Sequence, residues 1–293
     1  MKRIGIDLGG SKIEGVLISG NGEILLRKRI PTIRSEGYEA ILNRIVSIVR
    51  ELIDNGSDDY TVGICTPGTI SPKSGMIKNS NTACLIGKPF QRDLEDKLDH
   101  PILMDNDANC FALAEAILGA GQGFNTVFGV IMGTGVGGGI VTNKQVHRGA
   151  GLIAGEWGHH KINPNGPKCY CGNRGCVETF ISGPALEHQW TSITRKTLPL
   201  EKIINEKDIP GYKEWKGEFL THFGIALSNV INILDPDVVV LGGGVSNISF
   251  LYSDGLRYVE KYIFSDYPNT PIVQNKLGDS AGVIGAAYLG EWS

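Results

Sequence analysis

An α/β fold built as two similar halves is what this sequence predicts, and three observations carry that expectation. Short apolar runs suited to buried strands alternate with longer segments whose apolar residues fall at helical spacing. Three of the runs end in glycine clusters, at Gly9-Gly10, Gly133 to Gly139 and Gly242 to Gly244. The succession of strand, glycine-rich turn and strand occurs at residues 3–19 and again at 126–142, which points to an internal duplication. A chain of 293 residues is long enough for two domains.

The elements follow in order. Residues 3–8 read as a buried strand, Gly9-Gly10-Ser11 as a tight turn, and 12–19 as the returning strand. Gly20-Asn21-Gly22 is a hairpin signal before a third strand at 23–30. Ile41, Ile45, Ile48, Val49 and Leu52 give residues 36–54 one apolar helical face. A strand at 60–65 ends in Thr66-Pro67-Gly68-Thr69, and 70–90 read as loop. A short helix at 91–98, a strand at 101–104 and a helix at 107–118 follow, the last stopped by Gly119 and Gly121.

The second half opens with a strand at 126–132, a turn at 133–139 and a strand at 140–142. Beyond residue 183 the chain is mainly helical, with helices expected near 184–196 and 215–234. Asp235-Pro236 breaks the latter. A strand at 237–241, a helix near 248–263, a strand at 271–274 and a helix at 279–290 complete it.

Composition excludes several classes. Apolar content of 41% with 20% charged residues describes an ordinary globule. A net charge of −3 offers little attraction to nucleic acid or to anionic membranes. No apolar run reaches the ~18–20 residues that a membrane span needs. Forty glycines are the outlier, and they gather where a missing Cβ lets backbone approach a ligand. The first residues carry no signal-peptide pattern, so a reducing, cytoplasmic compartment is expected.

Glu156 to Glu178 is the segment richest in chemistry. Cys169, Cys171 and Cys176 lie within eight residues, after the imidazoles of His159 and His160. Three thiolates and one imidazole suit a closed, tetrahedral, structural zinc site, and Cys-x-Cys is an awkward spacing for a disulfide. Cys65, Cys84 and Cys110 stand alone and read as small buried hydrophobes. Asp105-Asn106-Asp107-Ala108-Asn109 sits at a strand end and helix start, a place where open α/β sheets bind ligands. Any of its first three residues could cap the helix, so the cluster is richer than a cap requires.

Asp7, at the end of the first strand, would be satisfied by magnesium carrying nucleotide phosphates; the simpler role is to accept turn N–H bonds. Gly133, Gly135 and Gly138 match G-x-G-x-x-G, but a β-branched strand follows where a dinucleotide-binding turn needs a helix. P-loop and protein-kinase motifs are absent from the sequence.

Several motifs together resemble the ROK family of sugar kinases and repressors. They are Asp7-x-Gly9-Gly10-x-Lys12, Asn106-Asp107-Ala108-Asn109, Gly133-Thr134-Gly135-x-Gly137-x-Gly139, Glu156-x-Gly158-His159 and Cys169-x-Cys171-Gly172-x-x-Gly175-Cys176-x-Glu178. The resemblance implies the actin-like, ribonuclease-H-like ATPase fold, with two α/β domains around a cleft. Its expected division is a small domain at 1–118, a large one at 119–278 with the zinc loop 156–178, and a C-terminal helix at 279–293 packed back on the first.

It also implies ATP, magnesium, structural zinc and a homodimer, and it selects His159 as the zinc-binding imidazole. Asp107 would be the general base. Gly68, Asn81, Asn106, Asp107, Glu156, His159 and Glu178 would bind the sugar, His159 with the ring nitrogen that zinc leaves. Asp7, Gly9, Gly10, Ser11, Lys12, Gly133, Thr134, Gly135, Gly243 and Gly244 would bind the nucleotide. Ser11 departs from the usual Thr but keeps the hydroxyl.

Pro67 to Pro72, Lys78-Asn79, Glu156 to His159, Thr179 to Gly183 and Ile233 to Asp237 are most similar to bacterial fructokinases of the manno(fructo)kinase type. Fructose phosphorylated at its 6-hydroxyl is therefore the expected reaction. N-acetylglucosamine kinase and glucokinase are the alternatives, and a sugar sensor or repressor the distant ones. A repressor would carry a DNA-binding segment ahead of the first glycine turn, which here begins within ten residues of Met1.

Overall fold

The computed structural model describes residues 1–54, 59–80 and 82–290. Two five-stranded sheets organise it. The first holds β1 (Lys2–Leu8), β2 (Lys12–Ile18), β3 (Ile24–Pro31), β4 (Tyr60–Thr66) and β7 (Ile102–Asn106) in the order β3-β2-β1-β4-β7. The hairpin of β5 (Thr69–Ile70) and β6 (Ile77–Lys78) stands apart from it. The second sheet holds β8 (Thr126–Met132), β9 (Val136–Thr142), β10 (Gln145–Val146), β11 (Val238–Gly242) and β12 (Ile272–Gln274) in the order β10-β9-β8-β11-β12. Each sheet is an antiparallel meander of three strands extended by two parallel ones. The duplication read in the sequence is thus a duplication of topology.

Helices α1 (Tyr38–Asp54), α2 (Phe90–Leu98) and α3 (Asp107–Leu118) belong to the first half of the chain. The second half adds α4 (Glu178–Ile181), α5 (Gly183–Thr194), α6 (Leu200–Ile203), α7 (Tyr212–Leu234), α8 (Asp254–Glu260) and α9 (Ala281–Ala287). Ile41, Ile45, Ile48, Val49 and Leu52 on α1 are all buried against the first sheet, as their spacing predicts. Each such side chain contributes about 1.5–3 kcal/mol of burial free energy. The second sheet has an aromatic core in which Trp157, Trp190, Trp215 and Phe219 are buried. The Trp157 indole N–H donates to the Ala226 carbonyl at 3.1 Å, so a large ring is buried without stranding its polar atom.

Between the sheets lie α9 and α3, and glycine lets them come close. Gly5 and Gly63 pair in register on β1 and β4, and a Cβ on Gly63 would stand 1.8 Å from the Ala286 carbonyl oxygen of α9. Gly129 and Gly139 pair in register on β8 and β9, where a Cβ would meet Ala112 of α3 within 3 Å. The two helices touch where Gly285 meets the Cys110 carbonyl. The layers therefore run sheet, α9, α3, sheet.

This explains one departure from the sequence reading. The glycine run was expected to be all turn to residue 139, but only 133–135 turn and Gly137, Gly138 and Gly139 lie inside β9. Gly139 is small because α3 lies on it, not because a phosphate does. Elsewhere, the helix expected at 248–263 is one 3₁₀ turn at Ser249–Tyr252 followed by α8, and the 70–90 loop contains most of the β5–β6 hairpin. Among the described residues no helix is long and apolar enough to cross a membrane. All six cysteines are free thiols, with Cys65 and Cys110 buried and Cys84 partly so.

Candidate active site

Asp7, Cys65 and Asp105 stand in register across β1, β4 and β7, at the C-terminal ends of the three parallel strands. The cleft beside this row has a volume of about 480 Å³. Asp7, Asp107, Gly243, Gly244, Asn275 and Lys276 are among its walls. Burial pushes the Asp7 carboxyl up to about 6, against a lowering hydrogen bond from the Cys65 thiol, and the charges of Asp107 and Glu14 push the same way as burial.

Division of labour at the start of α3 explains why its acidic cluster exceeds a cap. Asn106 is the cap, accepting the Asn109 N–H at 2.8 Å. Asp105 accepts from Asn106 N, from Asn109 Nδ2 at 2.7 Å and from Arg148 Nε at 2.7 Å. Asp107 is spared both tasks. One of its oxygens takes the neighbouring Ala108 N–H at 2.8 Å, and its side chain faces the open cleft. Protein around the carboxyl still displaces enough water to raise its pKa above the usual carboxylate value.

Glycine turns close the first hairpin of each sheet. Gly9 N–H donates to the Lys12 carbonyl at 2.9 Å, closing the β1–β2 turn, and Ser11 is exposed on it. Lys12 lies 3.7 Å from the buried carboxylate of Glu14. Gly10 lies against the Arg34 guanidinium. The equivalent turn of the second sheet closes by Gly133 N–H on the Gly135 carbonyl at 2.9 Å, with Thr134 exposed. Gly243 has φ +79° and sits on the Met132 backbone, so a side chain is barred there. Gly133 and Gly244 have nothing within 4 Å of an added Cβ. At these two positions glycine leaves open space, which suits a ligand's close approach.

The cysteine segment forms the cluster that its spacing suggests. Ligand atoms of His159, Cys169, Cys171 and Cys176 all lie within 4.8 Å of one another. His159 Nδ1 is 3.6 Å from Cys169 Sγ, and Cys171 Sγ is 3.7 Å from Cys176 Sγ. Tetrahedral zinc, with bonds of about 2.3 Å to sulfur and 2.0 Å to nitrogen, sets ligand–ligand distances of about 3.5–3.8 Å. The residues therefore fit zinc. His160, the rival imidazole, is outside the cluster.

Glu156 and Glu178 face the site from either end of this segment. Burial raises the Glu156 pKa; His159 and Lys78 oppose the rise, and Asp107 and Glu178 add to it. Glu178 Oε2 accepts the Val136 N–H at 3.0 Å, so it also touches the glycine turn. Gly68, with φ +109°, turns the chain where a side chain would strike the Lys78 carbonyl. Asn81 lies outside the described residues.

Two neighbours went unread in the sequence. Tyr170 places its hydroxyl 2.9 Å from His159 Nε2, the nitrogen expected to reach the sugar. Its place between two cysteines was a usable signal. Arg148 offered none, because its partner Asp105 is 43 residues away.

Two sheets of the same topology, with Asp7 and Asp107 of one half and Gly243 and Gly244 of the other lining a common cleft, are the architecture of the actin-like ATPase fold. The chain belongs to the ROK family, whose profile matches residues 3–291. It is 35% identical to the N-acetyl-D-glucosamine kinase of Haemophilus influenzae, over 97% of this chain and 98% of that protein. It superposes on the ROK hexokinase of Thermus thermophilus with a TM-score of 0.88 at 32% identity, covering 98% and 97% of the two chains. A ROK glucokinase of Streptomyces griseus, solved with glucose and AMPPNP, matches with a TM-score of 0.75 at 27% identity over 98% of each chain. Family and fold make the chain a sugar kinase.

Proposed function

We propose that this chain transfers the γ-phosphoryl group of ATP to the 6-hydroxyl of a hexose, and that the hexose is N-acetyl-D-glucosamine. The choice of sugar follows relatives such as the Haemophilus influenzae enzyme, and it replaces fructose as the first expectation. Fructose remains the second reading because Pro67 to Pro72 and Thr179 to Gly183 resemble fructokinases. One observation carries the proposal: Asp107 heads α3 without serving as its cap and faces the cleft.

Asp107 takes the proton of the attacking hydroxyl. Its raised pKa makes it a stronger base than an ordinary carboxylate. Phosphoryl transfer has a loose transition state, so aligning the hydroxyl and excluding water matter most. Asn106, Glu156, His159 and Glu178 hold the sugar hydroxyls, and Gly68 and Asn81 belong to the same sugar-binding set. Carboxylates and amides suit that task because each bonds more than one hydroxyl. Residues 9–12 and 133–135 hold the phosphates, and Gly243 and Gly244 lie against the nucleotide.

Magnesium carried by ATP would lie beside Asp7 and neutralise phosphate charge. Zinc would be held by His159, Cys169, Cys171 and Cys176, where it fixes the loop between Glu156 and Glu178. The domain division at residue 118, the homodimer and the cytoplasmic location remain parts of this reading. They rest on the resemblance, on the cysteine use and, for the last helix, on the packing of α9 against β1 and β4.

An ADP-release assay with ATP, magnesium and a panel of hexoses tests the proposal, with Asp107→Asn as control. Turnover greatest on N-acetyl-D-glucosamine and lost in the variant is expected. Turnover greatest on fructose would move the substrate to the second reading. No turnover on any sugar would reject the kinase.

A further inference from the structure

The turn at residues 133–136 is held at both ends by one short segment of chain. At one end Glu178 Oε2 accepts the Val136 N–H at 3.0 Å. At the other, Gly183 N–H donates to the Gly133 carbonyl at 2.8 Å. Glu178 begins α4 and Gly183 follows its last turn. The fit at the first contact is tight, since a Cβ on Gly135 would lie 2.6 Å from Glu178 Oε2.

The same segment is tied to the cysteine cluster. The Cys176 carbonyl accepts from Thr179 N at 2.9 Å and from Thr179 Oγ1 at 2.7 Å. His160, next to His159, accepts the Val177 N–H at 2.9 Å. Position is therefore transmitted from the cluster through α4 to the glycine turn by short hydrogen bonds. A carboxylate has two oxygens. Oε2 is engaged by the turn, and Oε1 is the oxygen that can receive a sugar hydroxyl.

We infer that Glu178 is a positioning residue for the phosphate turn, and so couples nucleotide binding to the sugar site and to the cysteine cluster. This rests on the proposal that residues 133–135 hold ATP phosphates. Glu178 fixes Val136, and with it the N–H groups of the turn, before nucleotide arrives. A sugar drawing on Oε1 then changes the carboxylate that the turn depends on. The two ligands must alter each other's affinity by the same factor.

Calorimetric titration of magnesium AMPPNP, without sugar, tests the inference on wild type, Glu178→Ala, Glu178→Gln and Gly135→Ala. A lost hydrogen bond to a charged acceptor weakens nucleotide affinity in Glu178→Ala about tenfold. Glu178→Gln keeps an acceptor and stays within about threefold of wild type. Gly135→Ala drives the carboxylate off Val136 and loses a similar factor, and the double variant loses no more than either single one. If Glu178→Ala does not fold, Glu178→Leu, which fills the same space without an acceptor, carries the same expectation. Unchanged nucleotide affinity in the variants, or additive losses in the double variant, overturns the inference and leaves Glu178 as a sugar contact only. A wild-type protein that binds no nucleotide overturns the kinase reading as well, a result separate from equal binding by wild type and variants.

Discussion

Asp105 and Arg148 join the two halves of the molecule. Arg148 Nε donates to Asp105 Oδ2 at 2.7 Å, from the loop after β10 to the last strand of the first sheet. Asp105 is nearly buried, at 7% side-chain exposure, while Arg148 is 43% exposed. The carboxylate also fixes Asn106 and Asn109 at the start of α3. The Arg148 loop runs on into Glu156. One ion pair therefore registers Asp107 against Glu156 of the other half, the residues proposed as base and sugar contact.

Replacing Arg148 with Ala should loosen that registration. Solvent reaches the guanidinium, which limits the stability loss to about 1 kcal/mol. The larger effect falls on sugar KM, which rises severalfold, while the KM for ATP stays within about twofold. Steady-state kinetics with each substrate varied in turn checks this. Equal rises in both KM values would mean a general loosening instead.

Asp107→Asn should lower kcat by about 10²–10⁴, the usual worth of a general base. Affinity for the nucleotide should be little changed. In wild type kcat/KM should fall as pH drops through the raised pKa of Asp107, because only the ionised carboxylate accepts a proton. The acid limb therefore lies above the usual 3.8. A pH–rate profile flat down to that value would remove Asp107 from the role.

Local pattern was enough for most of the fold. Alternation and glycine placement revealed the meanders, and the α1 face was read residue by residue. The reading failed at Gly137 to Gly139, because the same absence of Cβ serves a phosphate turn and a helix packed on a strand. Only the contacts of Gly137 and Gly139 with Ala108 and Ala112, and of Gly138 with Gly155 and Phe128, separate the two. In the site, the cysteine cluster was legible because its ligands are close in sequence. Arg148 was not, because ion pairing across a cleft leaves no local trace. Tyr170 was overlooked beside its stronger neighbours.

Asp7 should make stability depend on pH in the empty protein. Its folded pKa of about 6 lies above the ordinary 3.8, so the folded state holds the proton more tightly. The associated stability is fully present below 3.8 and is lost as pH rises through about 6. The loss amounts to at most about 3 kcal/mol. Asp7→Asn carries no such charge. In buffer free of metal and nucleotide, its Tm should exceed that of wild type at about pH 7.5 and match it near pH 4. A constant difference across this range would contradict the burial argument.

Two glycines should respond oppositely to alanine. At Gly63 the new methyl would overlap the Ala286 carbonyl of α9, and backbone cannot yield as a side chain does. Gly63→Ala should cost about 3 kcal/mol or more. Gly217 lies inside α7 with nothing within 4 Å of an added Cβ. Gly217→Ala should stabilise by about 0.5–1 kcal/mol through helix propensity. Urea unfolding of both variants checks the contrast.

Zinc should be present at one atom per chain in protein purified without chelator. Cys171 is exposed, and the Asn173 backbone N–H lowers its thiol pKa, which favours the thiolate that metals bind. Cys176 is fully buried at the foot of α4, so Cys176→Ser should lose the metal and destabilise the protein strongly. The damage should reach the sugar first, because Glu156, His159 and Glu178 are all set by this loop. Elemental analysis and sugar titration of wild type and variant test the link. Metal-free wild-type protein that binds sugar with full affinity would disconnect the cluster from the site.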